Sequence, residues 1–328
     1  MTIRITATSG IAALAVAGLA AVTACSSSSS STSSPAASSQ PAASASATSA
    51  SANPLSGGSS SGSVVIGSAN FPENEVLAEV YALALQAKGV KVTTKLNIGA
   101  REAYYPQIEK GTISIIPEYN GTLLSVEVDK ASTAKTTAAV DAELMSKLPS
   151  TLTVLNPAAA QDSDSVTVTQ ATAAKYHLKS IADLKAHASQ LVIGGPPEFK
   201  TRIDGLVGLK STYGLTFKSF DPLDESGPIT LAALASGKVQ AADVFTTTPQ
   251  ILSDKLVSLS DPKFNFAAQN VIPLVYKPAL TSTISDTLNA ISAKLTTSAL
   301  LALDVKVITD KENYTTAAQD WLKSVGLG

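Results

Sequence analysis

A close pair of acids, Asp162 and Asp164, could do general acid–base chemistry, which uses a positioned carboxyl group to move protons. No residue near this pair in the sequence resembles a nucleophile, so the spacing favours a hinge or ligand-contact role over catalysis. His177 and His187 lie in or near a helical stretch rich in Lys and Ala, which is typical of solvated surface residues. With one cysteine and no histidine pair at ligand spacing, we expect no metal site, no cofactor and no catalytic residues.

Aromatic residues make up only 5% of the chain, but several of them occur in unusual places. Tyr104, Tyr105 and Tyr119 fall close together, and Phe71 lies in a polar turn after a short apolar run. Any one of these rings could pack at the rim of the core with its polar end in water. Several rings converging on one cleft would form an electron-rich box that attracts quaternary ammonium groups through cation–π interactions.

The elements that would position these residues alternate between short apolar runs and amphipathic stretches from Val64 onward. Besides the strand at 64–66 and the long helix after it, the pattern predicts strands at 90–96, 113–116, 151–155, 165–169, 190–194, 217–220, 242–246 and 271–276. It predicts helices at 101–110, 137–148, 203–213, 229–236, 282–294 and 317–325. Such alternation indicates an α/β protein whose mostly parallel sheets carry helices on both faces. About 265 residues of this pattern exceed one comfortable core and favour two lobes.

Several blocks of this sequence resemble, in order and spacing, the osmoprotectant (glycine betaine/choline) substrate-binding proteins of ABC transporters. These blocks are GSANFPENEVLAEVYALALQAKG, REAYY, PEYNGT, PPEFKTRIDGLVGLKSTYG, ADVFTTTPQI, NVIPLVY and LNAISAKLTT. The resemblance implies a type II periplasmic-binding-protein fold, in which two α/β lobes joined by two crossovers close on a ligand. Carried onto this chain, lobe 1 would be residues 64–163 plus 248–328, and lobe 2 would be residues 164–247.

The resemblance also implies a ligand site between the lobes. Tyr119 matches a tyrosine of the family's aromatic box, Thr122 matches its threonine, and Arg202 matches an arginine that meets the carboxylate in betaine binders. Phe245 stands where some members have tyrosine, and residues 161–165 are partly acidic where some members have an aromatic, which suits choline at least as well as betaine. The predicted ligand-binding residues are Ser68, Asn70, Phe71, Tyr104, Tyr119, Thr122, Asp164, Arg202, Phe245 and Thr246.

The first 63 residues predict export and anchoring rather than a fold. Residues 1–24 are typical of a signal peptide, with a single charge at Arg4 and an apolar run at 11–22. The run ends in VTAC and resembles a bacterial lipobox, so Cys25 is the predicted lipidation site, although a small-residue cleavage site beside a stray thiol is the alternative. Residues 25–63 predict a lipidated cysteine followed by a disordered Ser/Ala-rich tether, which cannot bury enough apolar surface to fold.

These features together predict a solute-binding lipoprotein, held on the outer face of the cytoplasmic membrane by its lipid anchor. Its partners would be a small quaternary ammonium solute and the separate permease subunit of an ABC importer. A net charge of −2 gives no basic surface for nucleic acid, and we expect a monomer without enzymatic activity. The alternatives are a binding protein for another small cationic or amino-acid-like solute, an enzyme on the same two-lobed fold, or a cell-wall interaction protein.

Overall fold

The computed structural model describes residues 63–328, and the predicted signal peptide, Cys25 and nearly all of the predicted tether lie outside that range. Ten strands form two five-stranded sheets. Their bounds are β1 Val64–Gly67, β2 Val92–Lys95, β3 Ile115–Tyr119, β4 Leu152–Val154, β5 Val166–Thr169, β6 Val192–Gly195, β7 Ser219–Pro222, β8 Ala241–Asp243, β9 Leu256–Ser258 and β10 Val271–Tyr276. The first sheet has the order β2-β1-β3-β10-β4 and the second has the order β7-β6-β8-β5-β9.

Helices cover both faces of each sheet, as the core clusters show. The α-helices are α1 Pro72–Ala87, α2 Arg101–Glu109, α3 Asn120–Thr122, α4 Thr137–Lys147, α5 Gln170–Tyr176, α6 Leu206–Tyr213, α7 Pro228–Ala235, α8 Gln250–Ser253, α9 Ser282–Ser292, α10 Thr297–Asp304 and α11 Tyr314–Ser324. Short 3-10 segments occupy Ile181–Ala186, Ala188–Gln190, Pro197–Lys200 and Lys277–Ala279, and π-helical segments occupy Leu123–Val128 and Val305–Thr309. Among residues 63–328, no helix is long and apolar enough to cross a membrane.

Each sheet has four strands in one direction and one reversed strand. In the first sheet β1 is parallel to β2 and β3, while β10 is antiparallel to both of its neighbours. In the second sheet β6 is parallel to β7 and β8, while β5 is antiparallel to both of its neighbours. The reversed strand is in each case the first strand after the chain enters that sheet from the other one. The prediction of mostly parallel sheets is therefore correct in the sense that four of the five strands in each sheet run in the same direction.

The chain passes between the sheets twice, and the two crossovers run side by side. The first joins β4 to β5 and the second joins β9 to β10. They touch where the Asp162 amide donates to the Gln269 carbonyl at 3.1 Å, beside an antiparallel bridge between Gln161 and Asn270. This contact places the acidic pair of residues 162 and 164 at the junction of the two lobes.

The observed second sheet extends further along the chain than the sequence suggests. Strand β9 pairs with β5 in the second sheet, and Phe266 packs in that lobe's core. The sequence-based boundary at residue 248 would instead assign this segment to the first lobe. No strand was predicted at Leu256–Ser258, because three residues are too few to show a periodic pattern.

Pro117 does not end its strand, contrary to the sequence prediction. Strand β3 continues to Tyr119, and Pro117 lies opposite Pro273 of β10. The Pro117 carbonyl points away from β10 and accepts from the Asn74 side-chain amide at 3.0 Å. Because β1 has already ended on that side, the missing N–H of the proline costs no ladder hydrogen bond. The strand therefore carries Glu118 and Tyr119 as far as the junction between the lobes.

The turn between β1 and α1 is fixed by side chains rather than by a helix cap. Neither Asn74 nor Ser68 caps α1, because the N-cap is Phe71 with no side-chain cap hydrogen bond. Asn74 instead accepts from the Ala69 amide at 2.8 Å while donating to Pro117, and Pro72 starts the helix with its fixed φ. The turn is thereby tied to β3, which holds Phe71 over the junction.

Candidate functional site

A cavity of about 50 Å³ lies between the two lobes at the ends of the central strands. We call it the inter-lobe cavity. Both lobes and both crossovers contribute to its wall, which is the usual location of ligands in open α/β sheets. Its polar and aromatic lining residues are Phe71, Arg101, Tyr104, Tyr119, Thr122, Asp162, Asp164, Glu198, Arg202, Glu225, Phe245 and Gln269.

Aromatic rings from both lobes converge on this cavity. The ring centroids of Phe71 and Tyr119 are 6.0 Å apart, and those of Phe71 and Phe245 are 5.1 Å apart in an edge-on arrangement. Tyr104 contributes a fourth ring, from α2. Ring faces present negative charge density, so this arrangement can hold an organic cation without a hydrogen bond to it.

A buried ion pair behind the rings fixes Tyr104. Glu118 is fully buried, and its carboxylate accepts two-pronged hydrogen bonds from the Arg101 guanidinium, the shortest of them 2.8 Å. The Tyr104 hydroxyl donates to the same carboxylate at 2.7 Å, and the Tyr119 amide donates to it at 3.0 Å. These contacts neutralise Arg101 and leave only the ring of Tyr104 to face a ligand.

Tyr119 is held from behind in a similar way. Its hydroxyl donates to Glu73 Oε1 at 2.5 Å, and the Thr247 hydroxyl donates to Glu73 Oε2 at 2.6 Å. Burial first, and then the charge of Glu73, raise the pKa of Tyr119 well above its ordinary value, so the phenol stays protonated and remains a donor. The hydroxyl of Tyr119 is therefore committed to the protein.

Arg202 spans the two lobes. Its Nε and Nη2 atoms donate to the carboxylate of Glu102 in α2 at 3.0 and 2.8 Å, in the forked geometry that suits a carboxylate. Glu198, which is close in sequence, is 4.0 Å from Nη2, and Glu102 of the opposite lobe holds the guanidinium. Arg202 lines the cavity and also closes it.

Acidic side chains dominate what remains of the lining. Asp162, Asp164, Glu198 and Glu225 face the cavity, while both of its arginines are already paired with Glu118 and Glu102. Burial, and next the charge of Asp204, raise the pKa of Asp164 to about 6. Burial, and next the adjacent Glu198 carboxyl, raise the pKa of Glu225 to about 8. Carboxyl groups with raised pKa values gain from a cation placed among them.

Comparison with known proteins identifies the family. Residues 62–324 match the family described as the substrate binding domain of ABC-type glycine betaine transport systems. The chain belongs to this family. It is thus an extracytoplasmic substrate-binding domain of an ABC importer, which confirms the function class predicted from the sequence. Such a domain works with a membrane permease and a small solute, and this family is not a family of enzymes.

Individual relatives of this substrate-binding domain are also solute-binding proteins of transporters. It is 26% identical over 276 residues to the glycine betaine-binding protein YehZ of Escherichia coli (strain K12), covering 80% of this chain and 90% of that protein. It is 24% identical over 270 residues to the ergothioneine transport permease/ergothioneine binding protein EgtU of Helicobacter pylori (strain G27), covering 80% of this chain and 48% of that protein. A solved glycine betaine/carnitine/choline ABC transporter protein superposes with a TM-score of 0.63 at 23% identity, covering 80% of this chain and 99% of the other. The two-lobed type II fold is thereby confirmed.

The structure brings seven of the ten predicted ligand-binding residues to the cavity wall. The other three lie elsewhere: the Ser68 hydroxyl donates to the Ala69 carbonyl and accepts from the Asn97 amide, Asn70 is exposed, and the Thr246 hydroxyl donates to Asp162. Tyr105 is buried in the same core as Tyr104 but does not line the cavity. His177 is exposed and His187 stacks on Tyr176, both away from the cavity.

Sequence reasoning missed four polar residues of the wall: Arg101, Glu198, Glu225 and Gln269. Arg101 precedes the tyrosine pair and Glu198 lies in the block that carries Arg202, so their positions in those blocks were available signals. Glu225 lies in an irregular loop after β7, and Gln269 lies in the second crossover, where no periodic pattern marks them. Gln269 holds Thr122 through both its side-chain atoms, at 3.0 and 2.5 Å.

Proposed function

We propose that this chain captures a quaternary ammonium solute in the inter-lobe cavity and delivers it to the permease of its importer. The supporting observation is the combination of converging rings with a wall that holds more carboxyl groups than arginines. The rings of Phe71, Tyr119 and Phe245 provide faces for the methyl groups, and the acidic wall supplies the countercharge. Closure of the two lobes about the paired crossovers would exclude water from the cation.

Within this class we propose that a cationic solute such as choline is preferred over zwitterionic glycine betaine. Both arginines of the wall are already bound to carboxylates, so a ligand carboxylate would have to displace Glu102 from Arg202. It would also meet the carboxyl groups of the wall, of which Asp164 is ionised above its pKa of about 6 and repels a second carboxylate. The hydroxyl of choline can instead donate to one of those carboxyl groups.

Titration calorimetry with choline, glycine betaine and the uncharged isostere 3,3-dimethylbutan-1-ol tests this function. We expect choline to bind and the isostere, which has the same shape without the charge, to bind far more weakly. At a choline concentration one hundred times the Kd, the bound protein should be more stable by about 2.7 kcal/mol, which a thermal melt measures. Equal binding of choline and its isostere, or no binding of any quaternary ammonium, would refute the proposal.

A second candidate is a small cationic or amino-acid-like solute whose nitrogen carries N–H groups. Glu198 Oε1 and Glu225 Oε2 are buried and accept no hydrogen bond from the described residues, so they could accept from such a nitrogen. The same calorimetry with ethanolamine, the unmethylated counterpart of choline, separates the candidates. Tighter binding of ethanolamine than of choline would favour this second function.

Arg202 should set the balance between betaine and choline. Arg202→Ala removes the wall arginine whose carboxylate partner is half-exposed. Betaine should then bind about tenfold more weakly, which corresponds to the lower end of the free-energy range for a charge-assisted hydrogen bond. Choline has no carboxylate and should change less. The matched variant Glu102→Gln frees Arg202 and should shift the betaine-to-choline affinity ratio in the opposite direction. Ratios that move the same way in both variants would remove Arg202 from ligand discrimination.

The affinity for choline should rise with pH between 7 and 9. Choline keeps its charge over this range, whereas Glu225, whose pKa is raised to about 8 by burial and Glu198, must lose a proton to face a cation. One linked proton changes the affinity by up to about tenfold per pH unit below that pKa. Glu225→Gln should give a flat profile from pH 7 to 9, as measured by calorimetry, and an unchanged slope in this variant would assign the effect to another group.

The same raised pKa affects the stability of the ligand-free protein. A carboxyl group that binds its proton more tightly when folded stabilises the protein below its unfolded pKa. This contribution is lost as the pH rises from the ordinary range of glutamate towards 8. Bound choline should therefore stabilise the protein most near pH 9, at the alkaline end of the range from pH 7 to 9.

We also propose that Cys25 carries a lipid anchor, on the strength of the VTAC sequence alone. One lipid chain binds membranes only marginally and several give a stable anchor. Cys25→Ser should therefore release the protein from membranes or leave an uncleaved precursor, as judged by fractionation and by the mobility of the protein on gels. Ser29→Ala, in the tether, is the control that should stay anchored. A Cys25→Ser protein that is processed and sediments like the parent would refute the anchor.

A further inference from the structure

A second and larger cavity, of about 560 Å³, lies on the other side of the Phe71 and Phe245 rings. The first lobe contributes α1, Asp304 at the end of α10 and the π-helical segment after it, and the second lobe contributes α7 and the loop before it. The two cavities share Phe71, Phe245 and Glu225, but the remaining wall of the second cavity is separate. Nothing in the proposed capture of a quaternary ammonium solute uses this space.

Most of the second cavity's wall is apolar. Leu231 of α7 faces Val307 and Ile308 of the π-helical segment, and the two phenylalanine rings close one side. A space of this size and composition can bury the body of a small organic molecule. Its polar lining residues, which include Ser and Thr hydroxyl groups as well as carboxyl groups, must determine which molecules fit.

Several oxygens of this wall accept no hydrogen bond from the described residues. Asp304 is only 1% exposed, yet neither of its carboxyl oxygens accepts a hydrogen bond from any residue in 63–328. Gln250 Oε1 and Glu225 Oε2 line the same cavity and also lack a donor among the described residues. Among residues 63–328, Lys311 is the only basic residue in the wall, and it is exposed at the rim. A buried carboxyl group that accepts no hydrogen bond is costly, and a ligand that brings donors would relieve that cost.

The arrangement does not suit a metal ion. Within residues 63–328, no three His, Cys, Asp or Glu side chains are placed to share one. Glu73 lies beside Asp304, and burial, followed by the charge of Glu73, raises the pKa of Asp304 well above its ordinary value. A cation placed beside these two carboxyl groups would oppose this shift and favour their charged forms.

We propose that the second cavity is a separate binding site for an organic ammonium ion that has N–H donors and an apolar body. The nitrogen would donate to Asp304 and Gln250, and the body would pack against Leu231, Val307 and Ile308. The chemistry differs from that of the inter-lobe cavity, where ring faces hold a nitrogen that has no N–H groups. This second site does not depend on the identity of the first ligand.

Titration of the full protein with 2-phenylethylammonium, in the presence and absence of saturating choline, tests this proposal. We expect the probe to bind the choline-saturated protein at one site, and its N-trimethyl derivative to bind at least tenfold more weakly there. Asp304→Asn, which keeps the shape and removes the charge, should weaken the probe at least tenfold. Leu231→Trp, which fills the cavity from α7, should abolish probe binding and leave choline binding unchanged, because Leu231 does not line the inter-lobe cavity.

Three results would overturn the second site. The probe could fail to bind in either the presence or the absence of choline, or it could be displaced by choline in simple competition, which would place it in the inter-lobe cavity. It could also bind Leu231→Trp and Asp304→Asn as tightly as the parent. Loss of choline binding alone would refute the proposed function and leave the second site standing, because the probe is titrated without choline as well.

Discussion

Replacing Arg101 with methionine is expected to lower the free energy of unfolding by about 3–5 kcal/mol, the usual cost of removing one partner from a buried ion pair. Glu118, which is fully buried, would lose the two-pronged contact with the guanidinium. Only the Tyr104 hydroxyl and the Tyr119 amide would still donate to it. Urea unfolding measures the change, and calorimetry should show weaker choline binding as well, because Glu118 positions Tyr104.

Two control variants separate burial from charge. Lys147→Met removes an ion pair with Asp129 and Glu143 whose lysine side chain is 44% exposed, so its loss should cost less than about 1 kcal/mol. The double variant Arg101→Met/Glu118→Gln removes the buried charge and keeps an acceptor for Tyr104, so it should recover much of the loss. A double variant as unstable as Arg101→Met would show that packing of the arginine stem, and not the stranded carboxylate, determines the effect.

Much of the fold could be predicted from strong apolar patterns in the sequence. Short elements and a proline inside a strand could not be predicted in this way. The strand predicted at 271–276 has the observed bounds, because a buried central strand is a continuous apolar run bounded by polar residues. Strand β9 has only three residues, so its pairing with β5 is decided by tertiary contacts. Pro117 stays within β3 because its neighbour β1 is short, and no local pattern contains that information.

The candidate site was predictable where a ring lies in a recognisable block and unpredictable where partners come from distant segments. Tyr104 and Tyr105 are adjacent on α2 and therefore point about 100° apart, so only one of them can face the cavity. Which one does so is fixed by Glu118, whose carboxylate accepts from Tyr104. The pairing of Arg202 with Glu102 links residues one hundred positions apart in opposite lobes, and no local pattern in the sequence connects them.

Tyr119→Ala is expected to weaken choline binding by about thirtyfold, since a desolvated cation–π contact is worth about 2 kcal/mol. Tyr119 is 6% exposed, and its ring packs against Phe71 in the wall of the inter-lobe cavity. Truncation to alanine removes this aromatic face from the cavity and also removes the packing that holds Phe71. Calorimetric titration measures the loss. Tyr176→Ala, which alters a tyrosine that does not line the cavity, should leave the affinity unchanged.

The matched variant Tyr119→Phe distinguishes the ring face from the hydroxyl. The Tyr119 hydroxyl donates to Glu73 and not into the cavity, so its removal should leave the ring in place and cost choline binding less than about fivefold, roughly the value of one ordinary hydrogen bond. Glu73 would still accept from Thr247, which limits the disturbance behind the ring. Equal losses in Tyr119→Phe and Tyr119→Ala would mean that the hydrogen bond to Glu73, which sets the position of α1 against β3, controls the affinity rather than the aromatic face.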